Sequence, residues 1–249
     1  MISNPRHDPC RPAISAHRGG VESGRAQTSD AFAAAIRFGV EYVELDVRRC
    51  ADGRLVTHHD ERVTGGGPRI SEVSYPELVA VAGFEVPLLR DVLRLVTPHA
   101  IAQLDLKVPD AADVVGEALG VCGPEQLMIS SVTETTLAEV RAIEPKVATV
   151  LSLGQRIRGG LGRRSRPDAR EDCSVRRIVG AGCDAIAINH RLVTGTLLRR
   201  CAAAGILVML WTVNDPRRLA QLLGDARVGV VITDFPRAAM AIRDRAFTR

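Results

Sequence analysis

Short apolar runs alternate with amphipathic segments along nearly the whole chain. Runs at 13–16, 42–47, 101–106, 128–131, 148–152, 185–188, 207–213 and 230–233 predict eight strands. Segments with apolar positions at helical spacing lie between most of them, at 29–38, 111–121, 134–143, 194–204 and 216–223. This alternation calls for parallel strands joined by helical crossovers. Eight such repeats call for an α/β fold closed into a (β/α)8 TIM barrel, with an open doubly wound sheet as the alternative. No domain boundary is visible, so residues 1–249 are expected to form a single barrel domain.

One further apolar run, 55–59, breaks the alternation. It follows 42–47 after Asp52-Gly53, a hairpin turn signal, and so predicts an antiparallel return strand at the barrel mouth. With those two residues as the turn, Asp46 is expected to face His59. Gly65-Gly66-Gly67-Pro68 then predicts a loop, and helical stretches near 76–81 and 88–96 lead to the third barrel strand. The segment from Gly154 to Asp172 carries six arginines and little apolar periodicity, and is expected to be a long loop.

Composition narrows the class. A chain of 249 residues, 46% hydrophobic and 25% charged, can bury a sizeable core and is neither disordered nor a disulfide scaffold. Aromatics are only 3%, so Ala, Val, Leu and Ile must build that core. A net charge of +4 is too mild to argue for nucleic acid, and the arginine-rich segment lacks aromatics for base stacking. The six cysteines show no Cys-x-x-Cys pair, which suits reduced, buried thiols. The N-terminal stretch is polar, and no run reaches the ~20 apolar residues of a membrane span. A soluble, cytoplasmic protein without a transmembrane segment is expected.

In a parallel barrel the chemistry gathers at the C-terminal ends of the strands. His17-Arg18-Gly19-Gly20 follows the first strand, and Glu44-Leu45-Asp46 lies on the second. His58-His59-Asp60 ends the return strand, and Asp105-Leu106-Lys107 lies on the third barrel strand. Period two puts Glu44 and Asp46 on one face, and Asp105 with Lys107 on another. Where those faces meet, three carboxylates without a thiol form a hard-oxygen site suited to Mg2+ or Ca2+. His17 and His59 are the candidate proton carriers, while Arg18 and Lys107 supply fixed positive charge for a phosphate. Trp211, the single tryptophan, is a candidate apolar wall of the substrate pocket.

These stretches resemble the glycerophosphodiester phosphodiesterase family, within the phosphatidylinositol-phospholipase-C-like barrels. The likeness is carried by AHRGG at 16–20, TSDAF at 28–32 and VELDVRRCADGRLVTHHD at 43–60. It continues through LDLK at 104–107, ISS at 129–131, LWTVNDP at 210–216 and VVITDFP at 230–236. The resemblance implies a (β/α)8 barrel that hydrolyses glycerophosphodiesters to glycerol 3-phosphate and an alcohol, using a divalent cation and a histidine pair. It implies His17 and His59 as that pair, Glu44, Asp46 and Asp105 as metal ligands, and Lys107 as a phosphate contact.

Two departures open alternatives. The family pattern has Pro-Glu-Asn-Thr before the first helix, its Glu a metal ligand, whereas this chain has Arg25-Ala26-Gln27-Thr28. Glu22 is a candidate substitute for the acid missing at Ala26. The family's Glu-x-Lys is here Asp105-Leu106-Lys107, which is similar to the ligand set of spider-toxin-type sphingomyelinase D enzymes. A lysophospholipid is therefore an alternative substrate, and a phosphodiester-binding barrel without turnover is an alternative function.

Overall fold

A computed structural model describes residues 11–63, 66–154 and 179–247. Residues 1–10, Gly65 and the arginines from Arg156 to Arg170 lie outside these ranges. Eight parallel strands close the barrel: β1 (Ala13–Ala16), β2 (Tyr42–Arg49), β4 (Ile101–Leu106), β5 (Leu127–Ser131), β6 (Ala148–Leu153), β7 (Ala185–Asn189), β8 (Leu207–Trp211) and β9 (Val230–Thr233). β1 pairs with both β2 and β9, which closes the ring. The short β3 (Leu55–Thr57) pairs antiparallel with β2 and with no other strand.

Period-two alternation sorts the strand residues into two layers. Val43, Leu45 and Val47 of β2 join Leu104 and Ile129 in the large cluster between barrel and helices. Tyr42, Ile101, Met128, Val150 and Met209 fill the inside of the barrel. Above that plug the inward positions turn polar, with Glu44 level with Gln103 and Asp46 level with Asp105. The parallel register of β2 and β4 thus stacks the acidic residues at one depth.

The helices are α1 (Ser29–Phe38), α2 (Tyr75–Ala82), α3 (Leu89–Val96), α4 (Ala112–Leu119), α5 (Glu134–Ile143), α6 (Gly195–Ala203), α7 (Pro216–Leu223) and α8 (Pro236–Phe247). Local chemistry starts several of them. Thr28 caps α1 by accepting from the Ala31 N–H, and Asp215 caps α7 by accepting from Arg218. α2 begins with a Ser74/Glu77 capping box. It packs beside the mouth over a small core of Cys50, Val56, Val63, Ile70, Leu78 and Val86.

The hairpin corrects one expectation. Val47 pairs with Thr57, Arg48 with Val56 and Arg49 with Leu55. Asp46 is therefore level with His58, whose N–H donates to the Asp46 carbonyl at 3.1 Å. A two-residue turn of the expected kind needs left-handed backbone at both central positions. Here only Gly53 is left-handed, at φ 84, so the loop takes three residues and the pairing shifts by one.

Opposite the mouth, Arg243 of α8 is 2% exposed and donates to both Glu41 oxygens, at 2.9 and 3.0 Å. Glu41 in turn accepts from the Ile14 N–H of β1. The described cysteines are unbridged: Cys50, Cys183 and Cys201 are buried and Cys122 is half-buried. Among the described residues no helix is long and apolar enough to cross a membrane.

Candidate active site

An open cavity of about 720 Å³ lies at the C-terminal ends of the strands. It is lined on one side by His17, Arg18, Glu44, Asp46, His59, Asp105, Lys107 and Asp234. Ser152, Asn189, His190, Arg191 and Trp211 line the other side. All eight site residues singled out in the sequence therefore face one cavity.

The turn after β1 sets the first of them. Arg18 is held in the left-handed region, at φ 55 and ψ 32. Backbone bonds hold that conformation: the Arg18 N–H donates to Glu44 Oε2 at 2.9 Å, and its carbonyl accepts from Gln27 at 2.9 Å. Gly19 and Gly20 follow with φ 78 and 89. A Cβ on Gly19 would stand 2.9 Å from the α1 backbone, and one on Gly20 would stand 2.7 Å from Pro236. Both glycines let the turn press between two helix starts.

Each candidate histidine has a carboxylate at Nδ1. His17 Nδ1 is 2.5 Å from Asp234 Oδ1, and His59 Nδ1 is 2.7 Å from Asp60 Oδ1. A carboxylate there keeps the proton on Nδ1 and leaves Nε2 to exchange protons. His17 Nε2 is 3.9 Å from Glu44 Oε2. Asp234 is itself fixed by Asn214 Nδ2 at 2.5 Å. Burial works against a charged His17, yet the Asp234 hydrogen bond and the Glu44 charge raise its pKa. Burial lowers that of His59, with the Arg18 and Lys107 charges adding to the effect against Asp46. Arg48 donates twice to the His59 carbonyl and so anchors the chain just past β3. His58 turns away and stacks on Phe84.

Glu44, Asp46 and Asp105 each offer an oxygen within 4.8 Å of the others. Burial and the neighbouring Asp46 charge push Glu44 up to about 7. Burial also raises Asp105. Asp46 is buried as well, but Lys107 and Arg18 hold it below the usual range. Lys107 Nζ lies 2.5 Å from Asp105 and 3.2 Å from Asp46, and Arg18 Nε lies 3.1 Å from Asp46. Two fixed cations thus face three crowded carboxylates. An all-oxygen set with surplus negative charge fits a hard divalent cation.

A model of the glycerophosphoryl diester phosphodiesterase family matches residues 17–238. The chain belongs to that family. A glycerophosphodiester phosphodiesterase of Bacillus subtilis (strain 168) is 28% identical over 261 aligned positions, covering 92% of this chain and 85% of the relative. A human lysophospholipase D is 32% identical over 111 positions, only 37% of this chain and 35% of that protein. Among solved structures, a glycerophosphodiester phosphodiesterase from Parabacteroides distasonis superposes with a TM-score of 0.77 at 20% identity, covering 94% of this chain and 98% of that one. An Oleispira antarctica phosphodiesterase, solved with the product sn-glycerol-3-phosphate, gives 0.74 at 21% identity, covering 94% and 97%. These two likenesses establish the fold.

The family's departures in this chain have a visible arrangement. Ala26 lines the cavity and brings no donor to it. Glu22 does not replace the acid, because its Oε2 accepts from the Arg237 N–H and caps α8. Gln27 beside Ala26 is buried, left-handed at φ 61, and donates from Nε2 to Asp46 Oδ2 at 2.7 Å. Its Oε1 is buried without a hydrogen-bond partner. Gln27, Asp234 and Asn214 were missed as site residues in the sequence. For Asp234 the signal was its place at the end of the last strand.

Proposed function

We propose that the protein is a divalent-cation-dependent phosphodiesterase that hydrolyses glycerophosphodiesters to glycerol 3-phosphate and an alcohol. One observation carries the reading: two carboxylate-backed histidines, His17 and His59, share a cavity with the Glu44, Asp46 and Asp105 oxygens. Family membership and the relatives named glycerophosphodiester phosphodiesterase support it.

In this reading Glu44, Asp46 and Asp105 hold the cation, Mg2+ or Ca2+. When bound, it draws charge from the phosphate oxygens as a Lewis acid. Arg18 and Lys107 neutralise the phosphate charge that grows during displacement. One histidine takes the proton of the attacking hydroxyl or water, and the other protonates the leaving alkoxide. Asp234 and Asp60 keep the two rings in the orientation that leaves Nε2 to do this. Trp211, half-buried at the far wall, forms an apolar side for the bound diester. A cytoplasmic setting suits the unbridged cysteines.

The test is hydrolysis of glycerophosphoglycerol, glycerophosphocholine and lysophosphatidylcholine with Mg2+, Ca2+ or EDTA. We expect glycerol 3-phosphate release that EDTA stops and that His17→Ala lowers about 10²–10⁴-fold. Choline release from the lysolipid alone would move the reading to a lysophospholipase D-type enzyme. No turnover with any cation would leave a phosphodiester-binding barrel.

A further inference from the structure

The cavity is electrically divided. Its carboxylates, Glu44, Asp46, Asp105 and Asp234, come from β2, β4 and the end of β9. The facing wall, from β6, β7 and β8, brings Ser152, Asn189, His190, Arg191 and Trp211, and no carboxylate among the described residues. In strand order β7 and β8 lie opposite β2 and β4, so this wall stands across the barrel from the acidic triad.

Arg191 lines that wall, and Arg218 of α7 stands next to it on the His190 carbonyl. The Arg191 N–H donates to Asn189 Oδ1 at 3.1 Å, which fixes its backbone at the end of β7. Arg191 is exposed, lines the cavity and has no carboxylate partner among the described residues. Arg218 of α7 donates to the His190 carbonyl at 2.9 Å and to Gln221, and likewise has no carboxylate partner among the described residues. Asp215 is engaged by the Arg218 N–H as the cap of α7. Burial depresses the pKa of His190, and the Arg218 and Arg191 charges add to that against Asp215.

We infer that this wall selects diesters whose end remote from the reacting phosphate carries a second negative charge, and that Arg191 is the residue that reads it. The inference rests on the phosphodiesterase reading above. A phosphate or carboxylate there would meet a guanidinium that has no carboxylate partner among the described residues and that matches either group with paired N–H donors. A quaternary ammonium would meet the face of Trp211, but beside uncompensated positive charge.

The test compares three diesters with one glycerophosphate part and alcohols of different charge. They are bis(glycerophospho)glycerol (anionic), glycerophosphoglycerol (neutral) and glycerophosphocholine (cationic). Because Arg191 is exposed, the expected preference is modest: kcat/KM for the anionic diester about fivefold above the neutral one at low salt. That preference should shrink in ~1 M salt, where the Debye length is about 3 Å. Arg191→Gln should bring the ratio close to one, and Arg191→Glu should turn the preference toward glycerophosphocholine. Equal kcat/KM for all three in the native enzyme would overturn the inference. So would an Arg191→Gln variant that loses the same factor on every substrate, since Arg191 would then serve the reacting phosphate alone. Turnover of none of the three overturns the phosphodiesterase reading, and this inference with it.

Discussion

At the scale of single residues, the proposed role of Glu44 would link protonation to cation binding. Its carboxyl is ordinarily near 4.5, and burial beside Asp46 pushes it to about 7 in the fold. A raised folded value stabilises the protein fully below the unfolded pKa, and that contribution is lost as pH rises through the folded one. The cation-free protein should therefore lose stability from this group between about pH 4.5 and 7. A divalent cation must displace the same proton. Its affinity is expected to rise by up to about tenfold per pH unit toward pH 7 and to level off above it. Titration calorimetry across this range checks the slope, and an affinity independent of pH would contradict it. The acidic triad was legible because alternation and parallel register place acids at 44, 46 and 105 without further information. The Asp234 hydrogen bond to His17 was not, because it spans 217 residues and exists only once the ring of strands is closed.

At the scale of elements, the turn from β1 into α1 does more positioning than its length suggests. It presents His17 and Arg18 to the cavity and passes under the first turn of α1. Gly19→Ala would place a Cβ 2.9 Å from the Ala31 and Phe32 backbone at φ 78. It is expected to destabilise the fold by about 2–4 kcal/mol in chemical denaturation. Strand positions were read from the chain to within two residues because short apolar runs between helical segments mark strands buried on both faces. The hairpin register was not, because it depends on which loop residues take left-handed backbone, and only Gly53 does. α8 was also missed. Its apolar periodicity is interrupted at a fully buried position, which is occupied by Arg243.

At the scale of the whole molecule, that arginine joins the last helix to the first two strands. Its pair with Glu41 is buried, and Arg243 Nε has no hydrogen-bond partner among the described residues. Removing one member leaves a buried charge, so Arg243→Met is expected to cost about 3–5 kcal/mol. The double variant Arg243→Met with Glu41→Gln should recover most of that loss, because it leaves no stranded charge and keeps an amide oxygen for the Ile14 N–H. Denaturant midpoints of the single and double variants measure the coupling.

The pairing of β1 with β9 has a consequence for how the protein is made. During synthesis Glu41 emerges 202 residues before Arg243. At ~5–20 residues per second, that interval is roughly 10–40 s. For all that time β1 has one open edge, Glu41 has no counter-ion and His17 has no Asp234. A nascent chain still attached to the ribosome and halted before β9 can bring together the Glu44, Asp46 and Asp105 carboxylates of β2 and β4, yet not His17 with Asp234. The His17–Asp234 pair is thus acquired only when β9 joins β1, whatever part of the barrel has already formed.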